Sequence, residues 1–178
     1  KSIAGQVAGS NTAGAGIGGG TGGNNGNGGA ATVTISGNPI IRTGSIGGGK
    51  TNMTGGYIGT ATISIDGGDI QGQFVMAAGA LTKPSFIMKS GLIRNSDIED
   101  KEYKHIQDNG GAVYLEDGSF TMEGGEIRQC YAENGGAIYV KGTENTSFKM
   151  TGGKIRECSS KTDGGAVYLE GGNVLICG

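Results

Sequence analysis

The stretch GGAVYLEDGSFTMEGGEIRQC, residues 110–130, decides the fold because the chain repeats it twice more. The second copy reads GGAIYVKG at 135–142 and continues as SFKMTGGKIREC at 147–158. The third reads GGAVYLEGGNVLICG at 164–178. Self-similarity at a period of roughly 30 residues is typical of solenoids, in which each repeat is one coil that stacks on its neighbours.

Weaker copies precede these three. The segment SFIMKSGLIRNS at 85–96 keeps the Phe, Met, Ile and Arg of SFTMEGGEIRQC. TISIDGGDIQ at 62–71 and TVTISGNPII at 32–41 repeat the pattern with other apolar residues, and GAGIGGG at 14–20 is echoed by TGSIGGG at 43–49. The sequence therefore predicts about six coils, the last of them incomplete.

Apolar residues alternate with other residues within each copy, as a strand with one buried face requires. Val113 and Leu115 are predicted to face the core, with Ala112 and Tyr114 on the opposite side. Each coil should contribute three short strands separated by glycine-bearing corners such as Gly125. The predicted core columns, each a set of equivalent residues stacked from coil to coil, are Val113/Ile138/Val167, Leu115/Val140/Leu169, Phe86/Phe120/Phe148/Val174 and Met88/Met122/Met150/Ile176.

These features predict an all-β fold, a single-stranded parallel β-helix (β-solenoid) that forms one domain over residues 1–178. Half of the glycines, 20 of 40, fall within 1–60, where glycine-rich N-terminal coils are expected. The charged segment DIEDKEYKHIQD at 97–108 is predicted to be a loop insertion, since a solenoid tolerates extra length between strands.

Charge and motif content exclude several function classes. The chain carries 14 basic and 16 acidic residues, a net charge of −2, and no basic run, so nucleic acid is not an expected partner. No apolar stretch approaches the ~20 residues that span a bilayer, so membrane insertion is not expected. The sequence contains no GxSxG, HExxH, CxxC or P-loop motif, and neither a cofactor, a metal site nor a catalytic residue is predicted.

A polysaccharide lyase or hydrolase built on a β-helix is the alternative to a non-enzymatic protein. Such a site needs clustered carboxylates, often with Ca²⁺ or a basic residue. Asp66 and Asp69 lie near one predicted corner, and the loop insertion contains the single histidine, His105. Acidic residues at turns are usually solvated, and a lone histidine offers no second base. The loop carboxylates are Asp97, Glu99, Asp100 and Glu102.

Tyrosine recurs at one outward position of the repeat. Tyr114, Tyr139 and Tyr168 are predicted to form a ladder of phenol rings on the side of the strand opposite the core. Such rings offer flat amphipathic surface for a sugar or a protein partner, and they are the candidate binding residues. The alternative interpretation is that stacked tyrosines only stabilise the sheet.

Charged side chains also recur at equivalent positions. Glu116, Lys141 and Glu170 alternate in sign along the stack, which favours a parallel ladder. Arginine occupies a second column, which Glu126 and Glu157 are expected to neutralise; an anion site is the alternative. The arginines are Arg94, Arg128 and Arg156.

Two of the three cysteines are equivalent in the repeat. Cys130 and Cys158 share a position that Ser96 occupies one coil earlier. A column of small buried side chains explains this pattern, and so does a disulfide, because strands stacked at ~4.8 Å bring the Cα atoms within range. Cys177 falls at another position and is expected to point outward.

The GGA-[IV] tetrads that open the three repeats resemble those of glycine-rich parallel β-helix proteins on bacterial surfaces, such as the chlamydial polymorphic outer membrane proteins. The FxxN motif of that family is absent, because Glu123 follows Phe120 and Thr151 follows Phe148 at the fourth position. The GIGGG and TVTISG leaders with the SFTMEGGEI coil resemble more closely the repeat-rich adhesin-like proteins of gut anaerobes.

This resemblance implies a right-handed β-helix that is secreted and attached to a bacterial cell surface. The function it implies is that of a non-enzymatic adhesin-like or structural repeat segment. The expected partner is a glycan or a host-surface protein. The apolar last strand at 174–177 also leads us to expect end-to-end self-association or continuation in a longer chain.

Overall fold

The computed structural model describes residues 17–20, 27–48, 58–80, 82–95 and 107–178. Within these ranges the chain forms fifteen β-strands and no helix, hence none that could cross a bilayer. The strands are β1 (Ile17–Gly18), β2 (Ala31–Gly47), β3 (Ala61–Met76), β4 (Ser85–Arg94), β5 (Gln107–Asn109), β6 (Val113–Leu115), β7 (Ser119–Met122), β8 (Glu126–Arg128), β9 (Tyr131–Asn134), β10 (Ile138–Val140), β11 (Ser147–Met150), β12 (Lys154–Arg156), β13 (Ser159–Ser160), β14 (Val167–Leu169) and β15 (Asn173–Ile176).

Equivalent strands of successive coils pair in parallel. Phe86 pairs with Phe120, Phe120 with Phe148, and Phe148 with Val174. The same column continues towards the N-terminus through Ile63 and Val33, which makes six rungs. The chain is therefore an all-β parallel solenoid, and the predicted fold class is confirmed.

The glycine-rich leaders join a core column that sequence alignment did not reach. Ile17 pairs with Ile46, Ile46 with Phe74, and Phe74 with Val113. This column then continues through the predicted residues of β10 and β14 and also has six rungs. The segments GSIGGG and GGAVYL share only one inward position, which Ile46 occupies in the first and Val113 in the second. Periodicity alone therefore does not align them.

Each full coil in the C-terminal half has four strands, so the prediction of three is wrong. The additional strands β5, β9 and β13 form a separate three-stranded sheet. Their sequences, QDN, YAEN and SS, carry no apolar alternation, which is why the pattern gave no strand signal. The strand β5 also begins inside the predicted loop insertion at 97–108; residues 97–106 lie outside the described ranges.

Phenylalanine rings form a continuous stack through the core, which we call the inner ladder. Phe74 and Phe86 lie 4.7 Å apart between ring centroids, Phe86 and Phe120 4.3 Å, and Phe120 and Phe148 5.1 Å. All four rings are fully buried. Ala112, predicted to face outward, is also fully buried, because it lies in the corner before β6 rather than in the alternating strand.

Glycine at the predicted corners has the backbone conformation that the pattern required. Gly125 and Gly153 have φ values of 81° and 88°, in the left-handed region. A Cβ on Gly153 would lie 2.6 Å from Cε of Met122 and 2.8 Å from the carbonyl oxygen of Gly125. A larger residue would therefore strain the backbone and collide with the coil beneath.

Candidate binding face

The three predicted tyrosines lie together on consecutive rungs, in an arrangement that we call the outer ladder. Parallel pairing of β6, β10 and β14 places Tyr139 in register with both Tyr114 and Tyr168. Its ring centroid is 5.5 Å from that of Tyr114 and 5.4 Å from that of Tyr168, with interplanar angles of 6° and 17°. Alternation produces the ladder, since the residues on either side of Tyr114 and Tyr139 are buried in the core. Beside Tyr168, Val167 packs against the core, whereas Leu169 is 48% exposed.

The three rings differ in exposure. Tyr139 is only 5% exposed, because a neighbouring ring covers each of its faces, whereas Tyr114 and Tyr168 are half-buried. The middle ring cannot offer a face to a ligand. The surfaces that a partner can contact belong to the two outer rings and to the polar groups beside them.

Carboxylates lie beside the phenol hydroxyls. The hydroxyl of Tyr139 donates a hydrogen bond to the carboxylate of Glu170. Burial raises the pKa of Tyr114 above its ordinary value, and the negative charges of Glu116 and Glu170 raise it further. Tyr114 therefore stays protonated at neutral pH and keeps its hydroxyl hydrogen for donation.

The charged row of Glu116, Lys141 and Glu170 runs alongside the outer ladder. The Nζ of Lys141 lies 4.0 Å from Oε1 of Glu116, and Oε2 of Glu116 accepts a hydrogen bond of 3.2 Å from the backbone N–H of Ala78. These contacts hold Glu116 at the edge of the ladder. Together the six side chains form a strip of aromatic edges, carboxylates and one ammonium group, which we call the binding face.

The carboxylates of the alternative, enzymatic hypothesis are engaged in structural contacts. Oδ1 and Oδ2 of Asp69 accept hydrogen bonds of 3.0 and 3.1 Å from Arg94, and Oδ2 also contacts Arg42 at 3.1 Å. These arginines hold the pKa of Asp69 below its ordinary value, against the opposing effect of burial. Asp66 accepts a hydrogen bond of 2.8 Å from Ser90. An acid held ionised by two arginines is a poor proton donor near neutral pH.

The loop candidates Asp97, Glu99, Asp100, Glu102 and His105 lie outside the described residues. Within the described ranges no three His, Cys, Asp or Glu side chains are grouped to hold a metal ion.

The arginine column is largely neutralised. Arg94 is 7% exposed and bonded to Asp69, while Arg156 makes short contacts with Glu126 and Glu157. Arg128, between them, has a buried Nε without a hydrogen-bond partner among the described residues. The expected neutralisation by Glu126 and Glu157 thus takes place at Arg156.

The structure also contains a column of polar residues that the sequence did not predict. Nδ2 of Asn134 donates to Oδ1 of Asn109 at 2.9 Å, and Oδ1 of Asn134 accepts from the backbone N–H of Asp163 at 3.3 Å. Each of these residues directly precedes a Gly pair, so the repeat unit begins one residue earlier than the tetrad and reads [ND]GGA. The recurrence of Asn or Asp before each GGA-[IV] tetrad could have predicted this column.

Comparison of the chain with protein-family models, curated proteins and solved structures yields no match in any of the three.

Proposed function

We propose that this chain is a non-enzymatic, adhesin-like repeat segment of a secreted or cell-surface bacterial protein, and that its binding face takes up a neutral glycan. The observation that carries the proposal is the outer ladder, whose half-buried rings Tyr114 and Tyr168 lie beside the carboxylates of Glu116 and Glu170. The solenoid presents this chemistry as a strip on three consecutive coils.

The groups on this strip match what a sugar offers. Aromatic rings pack against the apolar faces of pyranose rings, while carboxylates and phenol hydroxyls hydrogen-bond to sugar hydroxyls. Hydrogen bonds to ionised acceptors are stronger than neutral ones, so Glu170 and Glu116 would fix the orientation of the sugar.

The charge of the binding face favours neutral over acidic glycans. Glu116 and Glu170 outnumber the single Lys141, so the face carries one net negative charge. A polyanion approaching it meets repulsion at short range. A host-surface protein is the other partner class, and binding to a protein-coated surface distinguishes it from a glycan.

The test is direct binding to immobilised neutral oligosaccharides of glucose, galactose, mannose and N-acetylglucosamine, with uronic-acid and sulfated glycans beside them. We expect retention on neutral glycans, and at least about tenfold weaker binding by Tyr168→Ala and by Glu170→Gln. Tyr131→Ala is the matched control, because Tyr131 is half-buried on a different sheet of the coil.

Three results would overturn the proposal. Binding only to a protein-coated surface would assign the face to a protein partner. Equal binding by all variants would remove the ladder from the site. Release of shortened products from an acidic polysaccharide in a parallel assay would favour the enzymatic alternative.

A further inference from the structure

Cys130 and Cys158 lie at the same corner of adjacent coils. Each follows a non-glycine residue in the left-handed region, Gln129 with φ 51° and Glu157 with φ 54°. The backbone N–H of Ser159 donates to the carbonyl oxygen of Cys130 at 3.0 Å, and Ser159 pairs in register with Tyr131. The two cysteines are therefore stacked one directly above the other.

Their thiols have equivalent orientations. Sγ of Cys130 donates to the carbonyl oxygen of Arg128 at 3.3 Å, and Sγ of Cys158 donates to that of Arg156 at 3.2 Å. Sγ of Cys158 also lies 4.0 Å from the carbonyl oxygen of Ile127, which belongs to the coil of Cys130. Stacked parallel strands are ~4.8 Å apart, within the Cα separation of disulfides.

The two thiols differ in access and acidity. Cys130 is 1% exposed, whereas Cys158 is half-buried. The hydrogen bond between the thiols raises the pKa of Cys130, and burial raises it further. The same hydrogen bond lowers the pKa of Cys158, against the opposing effect of burial. The more accessible sulfur is thus the better thiolate, as an attacking cysteine requires.

We propose that Cys130 and Cys158 form a thiol–disulfide exchange site that closes one coil of the solenoid with an intramolecular disulfide. This inference rests on the corner geometry and is independent of glycan binding. Both sulfurs are thiols in the structure described here.

The reaction uses a small-molecule disulfide, such as oxidised glutathione, as oxidant. The Cys158 thiolate attacks one sulfur of the oxidant, whose S–S bond breaks and releases one thiolate. Cys130 then loses its proton and attacks Sγ of Cys158, and the second half of the oxidant leaves as a thiolate. The two protons from the cysteines end on the released thiols, so two protein sulfurs are oxidised and one disulfide is reduced.

The bond would link residues that are one coil apart, since Cys130 and Cys158 are separated by 28 positions. Cross-linking a loop of this length restricts the unfolded chain, so we expect the melting temperature to rise by about 5–10 °C on oxidation. Secreted proteins meet the oxidising conditions in which such bonds persist.

The test uses the full chain with Cys177→Ser, which removes the exposed third thiol. The folded protein is incubated with oxidised glutathione, its remaining thiols are alkylated, and it is digested with trypsin. The expected product joins peptides 129–141 and 157–161, with a mass two hydrogens below the sum of the two. Cys158→Ser should give neither this product nor the rise in melting temperature.

Two outcomes overturn the inference. One is a folded protein whose two cysteines remain fully alkylated after exposure to excess oxidised glutathione. The other is a glutathione adduct that persists at Cys158 without being displaced by Cys130. Serine occupies the equivalent position 96 one coil earlier, so the serine variants should fold; circular dichroism checks this directly.

Discussion

The inner and outer ladders are two aromatic stacks generated by the same repeat, yet their environments differ. The inner ladder packs four Phe rings with centroids 4.3–5.1 Å apart, and all are fully buried. The outer ladder packs three Tyr rings at 5.4–5.5 Å, and only its middle ring is buried. Stacking on successive rungs aligns Phe86, Phe120 and Phe148 inside the solenoid, with Phe74 joining them from the neighbouring column, and it aligns the three tyrosines outside.

The phenol hydroxyl is what distinguishes the outer ladder chemically. Inside the solenoid an unpaired hydroxyl would carry a desolvation cost, so the inner rings are Phe. Outside, the hydroxyl of Tyr139 bonds to Glu170, and the ring of Tyr114 lies near Glu116. We infer that the inner ladder supplies most of the stability, whereas the outer ladder also presents polar groups to solvent.

The largest effect is expected from breaking the inner ladder at Phe120→Ala. Phe120 stacks on both Phe86 and Phe148, so its removal leaves a cavity between two coils. A fully buried Phe→Ala change costs about 3–5 kcal/mol in the free energy of unfolding. Denaturant unfolding followed by circular dichroism measures it, and a loss below about 1 kcal/mol would contradict the cavity argument.

A smaller loss is expected from Tyr139→Phe, which keeps the outer stack and removes one hydroxyl. The hydrogen bond to Glu170 is lost, and because the Glu170 side chain is exposed we expect the ordinary contribution of a hydrogen bond, about 0.5–1.5 kcal/mol. The same denaturant experiment applies. Tyr168→Phe is the matched control, because its hydroxyl has no hydrogen bond among the described residues, and it should change stability by less than about 0.5 kcal/mol. Equal losses in the two variants would refute a specific role for the Tyr139 hydroxyl.

The smallest effect concerns alkaline pH, which can ionise Tyr114 in the outer ladder, whereas the Phe rings of the inner ladder carry no ionisable group. The pKa of Tyr114 is raised from 10.0 in the folded chain, so its contribution to stability is complete below pH 10.0 and is lost as pH rises through the folded value. Tyr114→Phe should flatten this part of the stability profile. All other ionisable groups are common to the two proteins, so the difference between their stability profiles isolates Tyr114.

Phenolate absorbance provides the independent measurement of that titration. The wild-type spectrum should contain one tyrosine that ionises later than free tyrosine, and Tyr114→Phe should remove it. A variant that retains the late transition would place the raised pKa on another ring.

The sequence predicted the inward columns because their residues are apolar and recur at the same place, as Phe86, Phe120 and Phe148 do. Two predicted members, Leu169 and Ile176, are 48% and 60% exposed and do not lie in the core. The sequence did not predict the fourth strand column, because YAEN and SS form their strand through backbone pairing between coils rather than through apolar alternation. The sequence also did not align the segment of Phe74 with that of Ile46, because the two segments share only this one inward position.

The outer ladder shows the same limit. Spacing predicted that Tyr114, Tyr139 and Tyr168 share a column, but not that the outer two rings would cover the middle one. Burial of Tyr139 depends on ring planes and on the carboxylate of Glu170 one coil away, which are tertiary properties. Likewise, the hydrogen bonds from Arg42 and Arg94 to Asp69 join three coils, and no local sequence pattern predicts them.

The most direct test of the division between the two ladders measures affinity and stability in the same variants. A neutral oligosaccharide retained on the glycan panel is titrated by calorimetry into the wild type, Tyr168→Ala and Phe120→Leu, and each protein is melted in parallel. We predict that Tyr168→Ala loses about tenfold in affinity with little change in melting temperature. Phe120→Leu should melt earlier and bind as the wild type does. The division between the ladders would be contradicted if affinity and melting temperature fell together in both variants. It would also be contradicted if the protein retained no neutral glycan.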